Sequence, residues 1–128
     1  MLGYMGTDLG TIVVVEDDTN ISDLVDLYLR REGFRVIQAG TGEAGLAAIE
    51  REHPRMAILD VGLPGPMDGL ELAHAIRGRW PPIHLIVTSG KARERELPVY
   101  ARFIRKPYSE SEVRNALDEL FAAGASRR

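Results

Sequence analysis

Cysteine is absent from the 128 residues, which excludes disulfides, thiol catalysis and Cys-ligated metal and fits a reducing compartment. No apolar run approaches the ~20 residues that a bilayer-spanning helix requires. The first ten residues, MLGYMGTDLG, lack the basic start and apolar core of a signal peptide. Basic residues are not in excess either: 16 Lys and Arg stand against 19 Asp and Glu, a formal net charge of −3, so the chain has no field to draw in nucleic acid or an anionic membrane nonspecifically. These absences lead us to expect a cytoplasmic protein with neither nucleic acid nor membrane among its partners, and a flexible N-terminal tail over residues 1–10. What is present is ordinary for one globular domain: 45% hydrophobic and 27% charged residues, enough to bury one core.

Short apolar runs alternate with helical patterns. TIVVV (11–15), RVIQA (35–39), MAILD (56–60), IHLIVTS (83–89) and ARFIR (101–105) are expected strands. Between the first two, Ile21, Leu24, Val25, Tyr28 and Leu29 recur at helical spacing, and Gly33 supplies a stop. A second helix is expected from a Thr41 cap to Glu52, and a third from Asp68, whose partner Glu71 makes a carboxylate version of the capping box. The last helix opens on another such box, Ser109 and Glu112, continues through Val113, Ala116, Leu117, Leu120 and Phe121, and has Gly124 near its end. Such alternation implies right-handed βαβ crossovers and an α/β fold with a parallel sheet covered on both faces, doubly wound.

In that architecture ligands bind beyond the carboxyl ends of the strands. Strand one ends in Glu16-Asp17-Asp18, strand three in Asp60, strand four in Thr88-Ser89 and strand five in Lys106-Pro107. Massing acids there sets like charges against one another, so a compensating cation is expected. Carboxylates without His or Cys suit a hard cation, Mg²⁺ foremost, with Mn²⁺ able to substitute. Asp60 is then a candidate nucleophile for a phosphoryl group, forming an acyl phosphate whose charge the metal, Lys106 and the Thr88 hydroxyl would offset.

VVVEDD, LDVGLPGPMDG, VTSG and RKP, in this order on successive strands, resemble the receiver domain of two-component response regulators, of the CheY-like single-domain kind. The resemblance implies a flavodoxin-like (βα)5 fold, five parallel strands in the order 2-1-3-4-5. It matches Glu16 and Asp17 to the acidic pair, Asp17 being the direct metal ligand, and Asp60 to the phosphoacceptor. Gly62 matches the backbone carbonyl that ligates the metal, Thr88 the switch hydroxyl, Lys106 the phosphate-contacting lysine and Phe103 the aromatic switch. Asp18 falls outside the pair and is expected as a solvated loop acid. Two departures stand out: the loop VGLPGPMDG is one residue longer than the common pattern, with Pro64, Gly65 and Pro66 fixing an unusual turn, and Phe103 lacks the hydroxyl a tyrosine would bring.

The resemblance further implies a phosphoacceptor switch. A histidine kinase or histidine phosphotransfer protein supplies the phosphoryl group, and the domain catalyses only its own phosphorylation and dephosphorylation. Residues 11–123 are the expected receiver domain and 124–128 a short tail with no output domain, so a downstream protein is the expected target and the state is a monomer or a phosphorylation-dependent dimer. An alternative is a Mg²⁺-dependent phosphohydrolase working through an aspartyl phosphate, although its pattern wants a second acid where Gly62 stands. A flavodoxin-like cofactor binder would need a phosphate cradle where Glu16 to Asp18 repel one.

Other residues carry simpler expectations. His53, His74 and His84 have no metal-ligand spacing and are taken as surface or loop histidines, and Trp80 as packing where the third helix turns into strand four. KARERE (91–96) is a solvated face. Because Thr88 and Lys106 are close in sequence, Ala92 is the one apolar residue before Leu97, and Pro98 forbids continuation, the fourth helix is expected to shrink to one or two turns or an irregular loop. Partner contacts should then depend more on strand five and the last helix.

Overall fold

β-branched and aliphatic runs form the centre of the fold: β1 (Thr11–Val15), β2 (Arg35–Ala39), β3 (Met56–Asp60), β4 (His84–Ser89) and β5 (Arg102–Arg105) make one parallel sheet ordered β2-β1-β3-β4-β5. This computed structural model describes residues 9–126, with side chains through Phe121. Helices α1 (Thr19–Arg31), α2 (Gly42–Glu52), α3 (Gly69–Arg79) and α4 (Glu110–Ser126) follow β1, β2, β3 and β5, while β4 and β5 are joined through one 3₁₀ turn, Glu94–Glu96. The doubly wound α/β arrangement and the 2-1-3-4-5 order are as expected.

Alternation along each strand explains why the runs are apolar throughout. Val13, Val15, Ala57, Leu59, Leu85 and Val87 pack with α2 and α3 on one face, and Ile12, Val14, Met56, Ile58 and Ile86 pack with α1 and α4 on the other. Both faces are covered, so β1 from Ile12 and β3 from Met56 are apolar until the strand ends. Burying each large side chain among these contributes about 1.5–3 kcal/mol.

Helix starts follow the caps expected of them. The Thr41 side chain accepts from the Ala44 amide, Asp68 and Glu71 complete a reciprocal capping box, and the Ser109 hydroxyl accepts from the Glu112 amide while Glu112 accepts from the Ser109 amide. Several details differ. Ile83 and Ala101 precede their strands, because the register begins at Met56↔His84 and Ile86↔Arg102. Leu24 is 48% exposed, since the residues that α1 buries are Val25, Leu29 and the small Ser22, with Ile21 packed partly buried beside them. His84 is not a loop histidine: it opens β4, half-buried, its ring 5.8 Å from that of Phe121. Helix α4 runs through Gly124 to Ser126.

Of the expected N-terminal tail, residues 1–8 lie outside the described residues, and Leu9 and Gly10 are tied to the sheet. The Leu9 carbonyl accepts from Arg55 Nη1 at 2.9 Å and the Gly10 carbonyl accepts from the Arg35 amide at 2.9 Å. Residues 127 and 128 also lie outside. Among the described residues no helix is long and apolar enough to cross a membrane.

Candidate functional site

Strand order reverses between β2-β1 and β3-β4-β5, so the crevice beyond the carboxyl ends of β1 and β3 is where the fold leaves room for a ligand. Each of those strands delivers an acid there. Glu16 and Asp60, 5% and 7% exposed, are buried, Asp17 is exposed, and oxygens of the three lie within 4.8 Å of one another. Across β4, Asp60 is in register with Thr88, itself 2% exposed. Lys106, just past β5, reaches back: its Nζ donates to Glu16 Oε1 at 2.6 Å and stands 3.2 Å from Asp60 Oδ2. The Lys106-Pro107 peptide is cis.

Buried acids so close need donors, and backbone amides provide them. The Asp18 amide donates to Glu16 Oε2 at 3.1 Å, and the Gly62 amide donates to Asp60 Oδ1 at 3.3 Å. Burial nevertheless pushes the Glu16 pKa above its ordinary value; the hydrogen bonds from Lys106 and the Asp18 amide oppose the rise, and the charge of Asp60 adds to it. For Lys106, burial works against the ammonium, but the hydrogen bond to Glu16 and the charges of Asp60 and Glu16 prevail, so its pKa is raised and it is a fixed cation. The donor set of three carboxylates, with neither imidazole nor thiolate, fits a hard divalent cation.

Four of the residues singled out in the sequence, Glu16, Asp17, Asp60 and Lys106, thus converge in one pocket, with Thr88 beside it. The Thr88 hydroxyl donates to the Leu59 carbonyl at 3.4 Å, a long bond that leaves it available to a better acceptor. Phe103 is half-buried on β5 opposite Val87, one position before the partner of Thr88, and takes no part in the acidic cluster. Gly62 contributes the amide noted above. Asp18 is exposed as expected but is more than a solvated acid: its side chain accepts from the Asn20 and Ile21 amides and caps α1, while its own amide holds Glu16. The sequence signal for that cap, Asp18-Thr19 ahead of the helical stripe, was there to find.

Two neighbours of the site carried little sequence signal. Gly69 begins α3 in contact with the end of β3: a Cβ there would lie 2.0 Å from the Asp60 carbonyl oxygen, and its amide donates to the Val61 carbonyl at 3.1 Å. Tyr108, whose pKa burial raises above its usual value, lines with Leu24, Tyr28, Lys106 and Pro107 an apolar cleft of about 280 Å³ beside the acids. The long loop after Asp60 is held down by buried Val61 and Leu63, turns at Gly65 with φ 89°, and rests its Met67 carbonyl where a Cβ on Gly42 would approach to 2.5 Å.

Residues 12–118 match the response regulator receiver domain. The chain belongs to that family. Among curated relatives, it is 33% identical over 108 residues to the probable transcriptional regulatory protein TcrX of Mycobacterium tuberculosis, covering 80% of this chain and 46% of TcrX. The transcriptional activator PfeR of Pseudomonas aeruginosa is 32% identical over 113 residues, with 85% of this chain and 37% of PfeR covered. The receiver domain therefore spans less than half the length of either relative. Among solved structures, a CheY-like receiver domain protein from Methanospirillum hungatei superposes with a TM-score of 0.85 at 30% identity, covering 94% of this chain and 99% of that one. TrrA of Thermotoga maritima, solved in complex with Mg²⁺ and BeF, gives 0.78 at 27% identity over 88% and 99% of the two chains. Membership gives this receiver domain a phosphoacceptor role in two-component signalling.

Proposed function

We propose that Asp60 is the phosphoacceptor of this domain and that a phosphohistidine on a histidine kinase or histidine phosphotransfer protein is the donor. One observation carries the assignment: Asp60 is the buried acid at the end of the central strand β3 that has both a fixed ammonium, Lys106 Nζ at 3.2 Å, and a backbone amide, Gly62, directed at its carboxylate. In the transfer a carboxylate oxygen of Asp60 forms a bond to phosphorus as the P–N bond breaks. The donor imidazole leaves with the electron pair, and the product is an acyl phosphate. Lys106 offsets the charge on the phosphoryl oxygens, releasing part of its hold on Glu16.

Glu16, Asp17 and Asp60, together with the Gly62 carbonyl, would hold the metal, Mg²⁺ or in its place Mn²⁺. The cation would supply charge neutralisation of the phosphoryl oxygens. TrrA, solved with Mg²⁺ and BeF, supports this reading by its likeness. A phosphoryl group adds roughly two negative charges and three acceptor oxygens. The Thr88 hydroxyl exchanges its long bond to the Leu59 carbonyl for one of them, Phe103 turns into the space released, and the balance between two surfaces shifts. Output is contact with a downstream protein in the cytoplasm, from a monomer or a phosphorylation-dependent dimer. The domain acts as a switch, not as a turnover enzyme.

The test is intact-protein mass after incubation with acetyl phosphate, with and without Mg²⁺. The wild type should gain one phosphoryl group only with the metal, and Asp60→Asn none. Labelling of Asp60→Asn at the wild-type rate would move the phosphoacceptor elsewhere. Thr88→Ala should still be labelled, yet show no change in partner affinity on phosphorylation.

A further inference from the structure

The loop after Asp60, one residue longer than the common family pattern, lies against α2. Met67 meets the first turn of that helix: a Cβ on buried Gly42 would stand 2.5 Å from the Met67 carbonyl oxygen, 2.9 Å from its Cγ and 3.0 Å from its Cβ. Only a residue without a side chain fits there.

Neither partner is free to back away. Helix α2 is pressed onto the core at Gly45, where a Cβ would meet Val15 Cγ2 at 2.7 Å and Leu72 Cδ2 at 3.2 Å, and by buried Ala48 and Ile49. The loop is pinned on both sides of Met67. Ahead of it Val61 and Leu63 are buried, the Val61 amide donates to the Thr88 carbonyl at 2.9 Å and the Leu63 amide to the Val61 carbonyl at 3.0 Å. Behind it the capping box of Asp68 and Glu71 starts α3, and the Gly69 amide donates back to the Val61 carbonyl.

Between these pins stands the exposed turn Pro64-Gly65-Pro66. Both prolines fix φ at about −65°, so Gly65, at φ 89°, is its single pliable joint. A displacement of Met67 therefore travels along both arms, back through the stiff turn and forward through Gly69, and both arms end on Val61 and Gly62. Gly62 carries two groups that matter to the site. Its amide donates to Asp60 Oδ1 at 3.3 Å, and its carbonyl is the backbone ligand assigned above to the metal.

We propose that Gly42 is a positioning residue for the metal site: by lacking a side chain it lets the loop from Asp60 to Gly69 seat on α2 at the depth that sets the Gly62 backbone for the cation and for Asp60. Gly42 itself ligates nothing, and its role presupposes the metal site proposed above. Mg²⁺ tolerates little departure from octahedral geometry, so a shifted backbone ligand weakens its binding even though every donor is still present.

Calorimetric titration of the full, unphosphorylated chain with Mg²⁺ tests this, with urea unfolding and amide NMR shifts of the metal-free protein alongside. Gly42→Ala should weaken Mg²⁺ binding about tenfold and shift the amides of residues 61–68 before any metal is added. In reactions with acetyl phosphate its half-saturating Mg²⁺ concentration should rise by the same factor, while the rate at saturating Mg²⁺ stays close to that of the wild type. Gly65→Ala strains the turn itself at its positive φ and should weaken Mg²⁺ binding in the same way, which keeps the test decisive if Gly42→Ala does not fold. Ile49→Val trims a buried side chain about two turns further along α2 and should lower the urea midpoint without changing Mg²⁺ affinity. Wild-type Mg²⁺ affinity in Gly42→Ala or Gly65→Ala, or an equal loss in Ile49→Val, would overturn the positioning role. Failure of the wild type to bind Mg²⁺, or unchanged binding in Asp17→Ala, would instead sink the metal site on which that role depends.

Discussion

Two glycines of α3 should respond to the same substitution with opposite signs. At Gly69, an added Cβ would meet the Asp60 carbonyl oxygen at 2.0 Å, the Asp60 carbonyl carbon at 2.6 Å and the Val61 Cα at 2.7 Å, all backbone atoms that have no rotamer to escape into. Either the start of α3 or the end of β3 must move, and overpacking of that kind costs about 2–3 kcal/mol. At Gly78 a Cβ would meet nothing within 4 Å, and the residue is exposed within the helix. Alanine there removes backbone freedom from the unfolded chain and should stabilise by about 0.5–1 kcal/mol. Urea unfolding followed by far-ultraviolet circular dichroism separates the two variants by about 3 kcal/mol, a large share of the 5–15 kcal/mol typical of a domain. Gly69→Ala should also slow acceptance of phosphate from acetyl phosphate, because the backbone it displaces carries Asp60, whereas Gly78→Ala should leave that rate unchanged. A Gly69→Ala protein within about 0.5 kcal/mol of wild type would refute the close approach on which the reasoning rests.

Removing one carboxylate of the cluster tests the proposed metal site: Asp17→Ala should abolish Mg²⁺-dependent phosphorylation and weaken Mg²⁺ binding measured by calorimetry while leaving the urea midpoint almost unchanged, since Asp17 is exposed. Asp68→Ala breaks both halves of the capping box at the start of α3 and should cost about 1 kcal/mol in the same unfolding assay. The Glu52 carboxyl is held below its ordinary 4.5 by hydrogen bonds from Arg35 and then Arg51. Its stabilising contribution is therefore present above that value and lost as pH falls through the folded-state pKa, so Glu52→Gln should flatten part of the acid limb of the stability profile; an unchanged acid limb would show the pairs to be inert.

Much of the fold was legible because its determinants are local. A strand buried on both faces is apolar along its buried run, so IVVV within TIVVV and MAIL within MAILD declare themselves. A helix cap is settled within four residues, so Thr41, Asp68 and Ser109 could be named before any packing was known. The shortened β4–β5 connection was legible for the same kind of reason, as a segment without an apolar stripe and closed by Pro98 has nothing to dock with, and one 3₁₀ turn is what remains. The site residues were legible as strand-end chemistry and through family resemblance, and the structure gathers the acids with Lys106.

Distance along the chain marks where the sequence stopped being informative. Its order of residues was enough to set strand identity, helix caps and the face each strand presents, because those depend on neighbours a few residues away and on a fixed period. Only the tertiary structure decided that Lys106 donates to Glu16, 90 positions earlier, that the Asp18 amide secures that same carboxylate, that Leu24 of an apolar stripe is left in solvent, and that Gly69 must lack a side chain because the Asp60 carbonyl lies against it. These are contacts between elements brought together by burial of the sheet's two faces, and no periodicity encodes how close two backbones come once that burial is complete.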